Sequence, residues 1–142
     1  MKVFNSVLFL IVCFITVSSC DHGLSPGTLV KGRVVLEVSN EPISNAAIII
    51  RQYHSVPGSI PQNSILLSQQ TIPCDEEGDF YHRIDREDSA SHFSIKAAIW
   101  DSALSEYTEE NTLCYIGDWI SCNGLTFGQV YEDYILEIPD SE

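Results

Sequence analysis

Cys74, Cys114 and Cys122 carry the most legible chemistry in this 142-residue chain. Three thiols close at most one internal disulfide. Cys114 with Cys122 is the favoured pair, because the two flank a short turn candidate, Gly117-Asp118-Trp119, and little chain separates them. On the chain-entropy model so short a loop stabilises by about 2 to 3 kcal/mol. A cross-sheet bond from Cys74 to either partner stays open, since spacing does not set connectivity. A thiolate metal site would need cysteines at the close C-x2-C spacing, and no two have it. Asp75, Glu76, Glu77 and Asp79 crowd around Gly78, and carboxylates are calcium ligands. The alternating acids and distant Glu of a calcium loop are absent, so a solvated turn is expected. Tyr53, His54, Tyr81 and His82 are of the types that hold ferric iron, but adjacent residues of a strand point to opposite faces. Nor is there a Gly-x-Ser-x-Gly nucleophile elbow. The expectation is no catalytic residue, no metal and no cofactor.

Aromatic side chains offer a different chemistry, that of binding. Tyr53, Trp100, Tyr107, Tyr115 and Trp119 fall near expected strand ends or loops, where they could stack on sugar rings or anchor a protein partner. With 20 Asp and Glu against 7 Lys and Arg, the formal charge is -13. Such a field repels phosphate, which excludes binding to nucleic acid or to an anionic membrane face through the protein's own surface.

The chain opens with Lys2, an apolar run from Val7 to Val17, and then Val17-Ser18-Ser19-Cys20. A charged start, a hydrophobic core of about 7 to 15 residues and small residues at the junction describe a cleaved secretory signal over 1–19, too short for a membrane span of about 20. An aliphatic residue, two small ones and a cysteine resemble the bacterial lipobox. That resemblance implies that Cys20 is acylated and becomes the mature N-terminus. Each buried methylene contributes about 0.8 kcal/mol, and a single chain holds only marginally, so the two or three chains of a lipoprotein give stable attachment. Residues 20–27 then form a short polar tether with two glycines. Loss of 1–19 removes Lys2 and no acid, taking the charge from -13 to -14. The expected location is the cell envelope, with the membrane contacted through lipid at Cys20.

Residues 28–142 form one expected domain, and its elements read as strands. Val30, Gly32, Val34, Leu36 and Val38 alternate with Lys31, Arg33 and Glu37, the period-two pattern of a half-buried strand, broken only by Val35. Ser39-Asn40-Glu41-Pro42 supplies turn chemistry before the apolar run Ala46 to Ile50, so the unit is a hairpin or a strand-to-strand crossover. Further strands are expected at 65–72, 80–84, 92–100, 113–120 and 130–138, the last with Tyr134, Leu136 and Ile138 facing inward. A single helical turn is expected around Leu104 and Tyr107. About seven or eight short strands without a sustained helical period make an all-β, two-sheet sandwich.

Gly32-x-Val34, then Glu41-Pro42-Ile43-Ser44-Asn45-Ala46-x-Ile48-x-Ile50, and later Asp75-x-x-Gly78-x-Phe80, resemble the carboxypeptidase regulatory-like domain over roughly Leu29 to Trp100. The resemblance implies a transthyretin-like β-sandwich with no activity of its own, in which the Asp-x-x-Gly turn is structural. Asp75 would cap that turn's amides and Gly78 would take positive φ. Two groups of enzymes built on similar sandwiches do not match. The His-x-His of intradiol dioxygenases is absent, with Ser91-His92-Phe93-Ser94 as its nearest counterpart, and the Tyr-Arg-Gly-Ser tail of transthyretin-like hydrolases is replaced by Ile138-Pro139-Asp140-Ser141-Glu142. The functional expectation is a lipid-anchored, non-catalytic envelope module for protein interaction or scaffolding. The alternatives are a glycan-binding module using the loop aromatics and a divergent metal-dependent enzyme.

Overall fold

The computed structural model describes residues 27–56 and 63–140, apart from the side chains of Trp119 and Ile120. The expected signal peptide, Cys20 and most of the tether lie outside the described residues. Among the described residues nine strands run in chain order: β1 (Thr28–Leu36), β2 (Ala46–Ser55), β3 (Ser64–Pro73), β4 (Asp79–Ile84), β5 (His92–Asp101), β6 (Glu106–Glu109), β7 (Leu113–Ile116), β8 (Trp119–Ile120) and β9 (Val130–Ile138). They form a five-stranded sheet ordered β4-β1-β9-β7-β8 and a four-stranded sheet ordered β3-β2-β5-β6. The fold is an all-β, two-sheet sandwich.

The first expected unit is a crossover between sheets, since β1 and β2 belong to different ones. β1 stops at Leu36, earlier than the alternation suggests. Asn40 takes φ 58° and donates from its backbone N–H to the Leu36 carbonyl at 3.0 Å, closing a turn. Val38, expected to face inward, is instead 82% exposed on that turn. Val35, the residue that broke the pattern, is buried where the crossover folds back to form a bridge with Pro42.

In β2 the run Ala46 to Ile50 is buried on both faces because β2 is central, flanked by β3 and β5. Ala46, Ile48 and Ile50 join Phe93, Ile95 and Ala97 of β5 in the core, against Val30 and Val34 of β1 and Tyr134, Leu136 and Ile138 of β9. The inward direction expected for the β9 residues is observed. The buried side chains of Gln52 and Thr112 are satisfied, whereas the buried Ser68 Oγ has no partner. Gln52 donates from Nε2 to the Asp85 carbonyl at 2.8 Å and accepts from the Glu87 N–H at 2.9 Å, and Thr112 accepts from the Ala97 N–H at 3.0 Å.

Two expected elements are corrected. The segment around Leu104 and Tyr107 is not a helical turn. Asp101 Oδ1 accepts from the N–H groups of Ala103 (2.7 Å) and Leu104 (3.2 Å), and Ser105 has φ 56°, which reverses the chain so that β6 pairs antiparallel with β5. Residues 113–120 are two strands rather than one, because Gly117 at φ 58° turns β7 back on β8.

β1 and β9 run parallel, and their register slips between Val30 and Gly32: Val30 pairs with Tyr131 while Gly32 pairs with Tyr134. Two steps on β1 therefore match three on β9, and Asp133 absorbs the extra residue with φ 55°. The bulge brings the Tyr134 carbonyl so close to Gly32 that a Cβ there would lie 1.8 Å from its oxygen. The Phe80 ring covers the remaining space, its Cζ 2.8 Å from the same point.

Candidate binding face

Strand alternation decides what the outer face of the four-stranded sheet presents. With Ile48, Ile50, Phe93, Ile95 and Ala97 turned to the core, Arg51 and Tyr53 of β2 and His92, Ser94, Lys96, Ala98 and Trp100 of β5 are turned outward. Tyr53 lies opposite His92 in the β2–β5 register, and their rings stack at 5.3 Å between centroids with 13° between planes. Trp100 lies opposite Tyr107 of β6, and these rings meet edge to face at 5.1 Å and 72°. Trp100 lies eight residue steps along β5 from His92, placing the two aromatic pairs roughly 26 Å apart. Trp100 is 42% exposed.

Hydrogen-bonding side chains fill the ground between them. Arg51 donates through Nε to Gln69 Oε1 at 2.7 Å and through Nη2 to Glu109 Oε2 at 2.5 Å, so its guanidinium ties β2 to β3 on one side and spans β5 to reach β6 on the other. The Glu109 bond holds the Arg51 pKa above its ordinary value, with burial opposing the shift. Arg51 and Lys96 on this face outnumber Glu109, in a chain whose acids outnumber Lys and Arg by 20 to 7.

Tyr53, Trp100 and Tyr107, named from the sequence, thus share one face, Trp100 and Tyr107 in contact and Tyr53 at the far end. Tyr115 does not join them. It lies on β7 in the other sheet, half-buried, with its phenol pKa raised by burial and by Glu137. Trp119 begins β8, also in the five-stranded sheet, and its side chain lies outside the described residues. Sequence reasoning passed over Arg51, Lys96 and the part His92 plays as a stacking partner. The signal was present in the polar half of the β5 alternation.

The remaining candidates separate. Tyr53 and His54 sit in one sheet, Tyr81 and His82 in the other, and His54 Nδ1 bonds the Ser89 carbonyl at 2.8 Å. Among the described residues no group of three His, Cys, Asp or Glu side chains could hold a metal ion. The acidic turn is architectural. Asp75 Oδ1 accepts from the N–H groups of Glu77 (3.0 Å) and Asp79 (2.8 Å), and Gly78 takes φ 72°. Asp79 forms a two-bond ion pair with Arg33, whose guanidinium holds the carboxyl below its usual range. That pair, with Lys31, Tyr81 and Asp133, lines a shallow groove of about 440 Å³ on the outer face of the five-stranded sheet. Cys114 and Cys122 are joined across the β7–β8 hairpin, Cα atoms 5.2 Å apart. Cys74 is a free, partly buried thiol, its pKa pushed up to about 12 by burial and then by the Asp75 and Asp79 carboxylates.

No family model and no curated protein matches the chain. Among solved structures it is similar to a 9R-lipoxygenase from Cyanothece PCC8801, at 15% identity and a TM-score of 0.35. The match covers 75% of this chain and 16% of the lipoxygenase. A likeness at that level carries no argument about function.

Proposed function

We propose that this protein is a lipid-anchored, non-catalytic module of the cell envelope that docks a partner protein on the outer face of its four-stranded sheet. The observation that carries the reading is that Tyr53, Arg51, Trp100 and Tyr107 share one outer face, with the aromatic pairs at its two ends. Aromatic residues and Arg dominate binding energy in protein interfaces, because each delivers large contact area and a polar handle. On this face Arg51 and Lys96 outnumber Glu109, which lets an acidic or neutral partner approach. Attachment rests on the Val17-Ser18-Ser19-Cys20 junction, and two or more acyl chains hold a protein at the membrane. The non-catalytic reading is supported by how the best polar groups are engaged: Asp75 caps its turn, Asp79 pairs with Arg33, and Tyr81 and His82 diverge across β4.

Glycan binding is the second reading. It is favoured by the aromatic pairs at either end of a strip of hydrogen-bonding side chains, an arrangement suited to stacking on sugar rings and bonding their hydroxyls.

The experiment is site-specific photo-crosslinking in intact cells, with the crosslinker at Trp100 or, as control, at Tyr115, in wild-type and Cys20→Ala backgrounds. A discrete protein adduct from position 100 alone, lost in the Cys20→Ala background, is expected. Equal adducts from both positions, or none, would refute protein docking on this face. Glycan-array binding abolished by Trp100→Ala would establish the second reading instead.

A further inference from the structure

Among the described strands the sandwich has four sheet edges: β4 and β8 on one sheet, β3 and β6 on the other. An edge strand presents unpaired backbone donors and acceptors, and proteins guard such edges by shortness, charge or distortion. Three of the four are guarded. β8 has 2 residues, and β6 has 4, two of them Glu106 and Glu109. β4 has 6 residues and carries Asp79 and Arg83. β3 differs. It runs for 10 residues, SILLSQQTIP, with no charge, and exposes Ile65 (54%), Leu66 (49%) and Leu67 (40%). The gap in charge is wider than the strand: from Gln52 to Cys74 there is no Asp, Glu, Lys or Arg. A register shift opposite Gln52/Tyr53 leaves Leu67 as a bulge, and beyond it Ser68 to Pro73 pair regularly with β2, while no other described strand covers their far side.

We infer that this edge pairs with the same edge of a second copy of the chain, antiparallel about a two-fold axis near Gln70. Charge selects both the occupant and its direction. Two copies at -13 each repel wherever their acidic surfaces meet, and along β3 there is no charge to repel. Asp75, Glu76, Glu77 and Asp79 follow directly after β3. Parallel pairing would set those turns side by side. Antiparallel pairing carries each turn past the uncharged start of the partner's strand and holds the two roughly 30 Å apart, several screening lengths at physiological salt. The isologous contact closes at two copies, so it does not propagate into a filament.

The axis sets Gln70 opposite its own copy, Gln69 opposite Thr71 and Ser68 opposite Ile72, a match of polar and apolar uncharged side chains. The two four-stranded sheets join into one sheet of eight strands. Its outer face then carries two sets of Tyr53, Trp100 and Tyr107, a consequence that rests on the docking role proposed above, while the pairing itself does not.

The test is disulfide trapping of the full chain in its native membrane. Gln70→Cys in a Cys74→Ser background should yield, under mild oxidation, a band at twice the monomer mass on a non-reducing gel. Thr108→Cys in the same background, exposed on the guarded β6 edge, should not. Adding Thr71→Glu to the Gln70→Cys chain places acids beside each other's pairing strand and should reduce the trapped fraction several-fold. Equal trapping at positions 70 and 108, no dimer at 70, or an adduct at any other mass would overturn the inference. Photo-crosslinking from Trp100 is read separately, so either proposal can fail without the other.

Discussion

Replacing Gly32 by Ala adds one methyl group and should be among the most damaging substitutions in the domain. Gly32 has no left-handed φ, so the reason is space alone. The new Cβ would sit 1.8 Å from the Tyr134 carbonyl oxygen and 2.6 Å from its carbon. Non-bonded heavy atoms rest at about 3.5 Å or more, so roughly 1.7 Å must be opened between β1 and β9. A flexible side chain would swing aside, but Tyr134 is backbone in a central strand, held between β1 and β7, and its own side chain is fully buried. Overpacking of this kind costs about 1 to 3 kcal/mol where side chains can adjust, and the rigid neighbour here puts the expectation at about 3 kcal/mol or more. At about 4 °C per kcal/mol for a domain of this size, Tm falls by about 12 °C in a thermal melt followed by circular dichroism. Gly124→Ala is the control. Nothing lies within 4 Å of its added Cβ, and its φ of 69° charges only the left-handed penalty of about 1 to 2 kcal/mol. If Gly32→Ala melts no lower than Gly124→Ala, the close approach of β1 and β9 is not what Gly32 serves.

Two further outcomes follow from the geometry. The disulfide spans 8 residues, for which the chain-entropy relation gives about 8.3 cal/mol/K, or about 2.5 kcal/mol at 25 °C. Urea unfolding of the Cys114→Ala/Cys122→Ala protein should show a loss of at least that size, since Cys114 is also fully buried in the core, and a loss under about 1 kcal/mol would contradict it. Asp79 is held below its unfolded pKa by Arg33, so the stability it contributes is present above the ordinary carboxylate range and disappears as pH falls through the lower, folded value. Both side chains are almost half exposed, which keeps the effect small. Asp79→Asn should therefore lower Tm by a few degrees at pH 7 and by progressively less as pH falls below the ordinary carboxylate range, and a loss that does not shrink with pH would show that the ion pair is not the cause.

Period-two alternation by itself determined that 80–84, 92–100, 130–138 and most of 30–38 are strands, and it placed Phe80, Phe93, Ile95, Ala97, Tyr134, Leu136 and Ile138 in the core. That follows because side chains of a strand fall alternately on its two faces whatever the strand pairs with. It missed Tyr131, which the bulge at Asp133 brings into the core out of phase with Tyr134. The same local logic covered the Asp75–Gly78 turn, where a side-chain oxygen reaches amides two and four residues on. It failed at Val38 and at 101–109, where a single residue at positive φ, Asn40 or Ser105, redirects the chain and no hydrophobic pattern records it. Tertiary structure alone decided the pairing of strands far apart in sequence. Nothing local to Trp100 says that Tyr107 returns beside it, or that Tyr53 shares their sheet while Tyr115 belongs to the other. Those facts come from the order β3-β2-β5-β6, which is settled by closing one core from both sheets, and the binding face and the uncharged β3 edge are products of that closure.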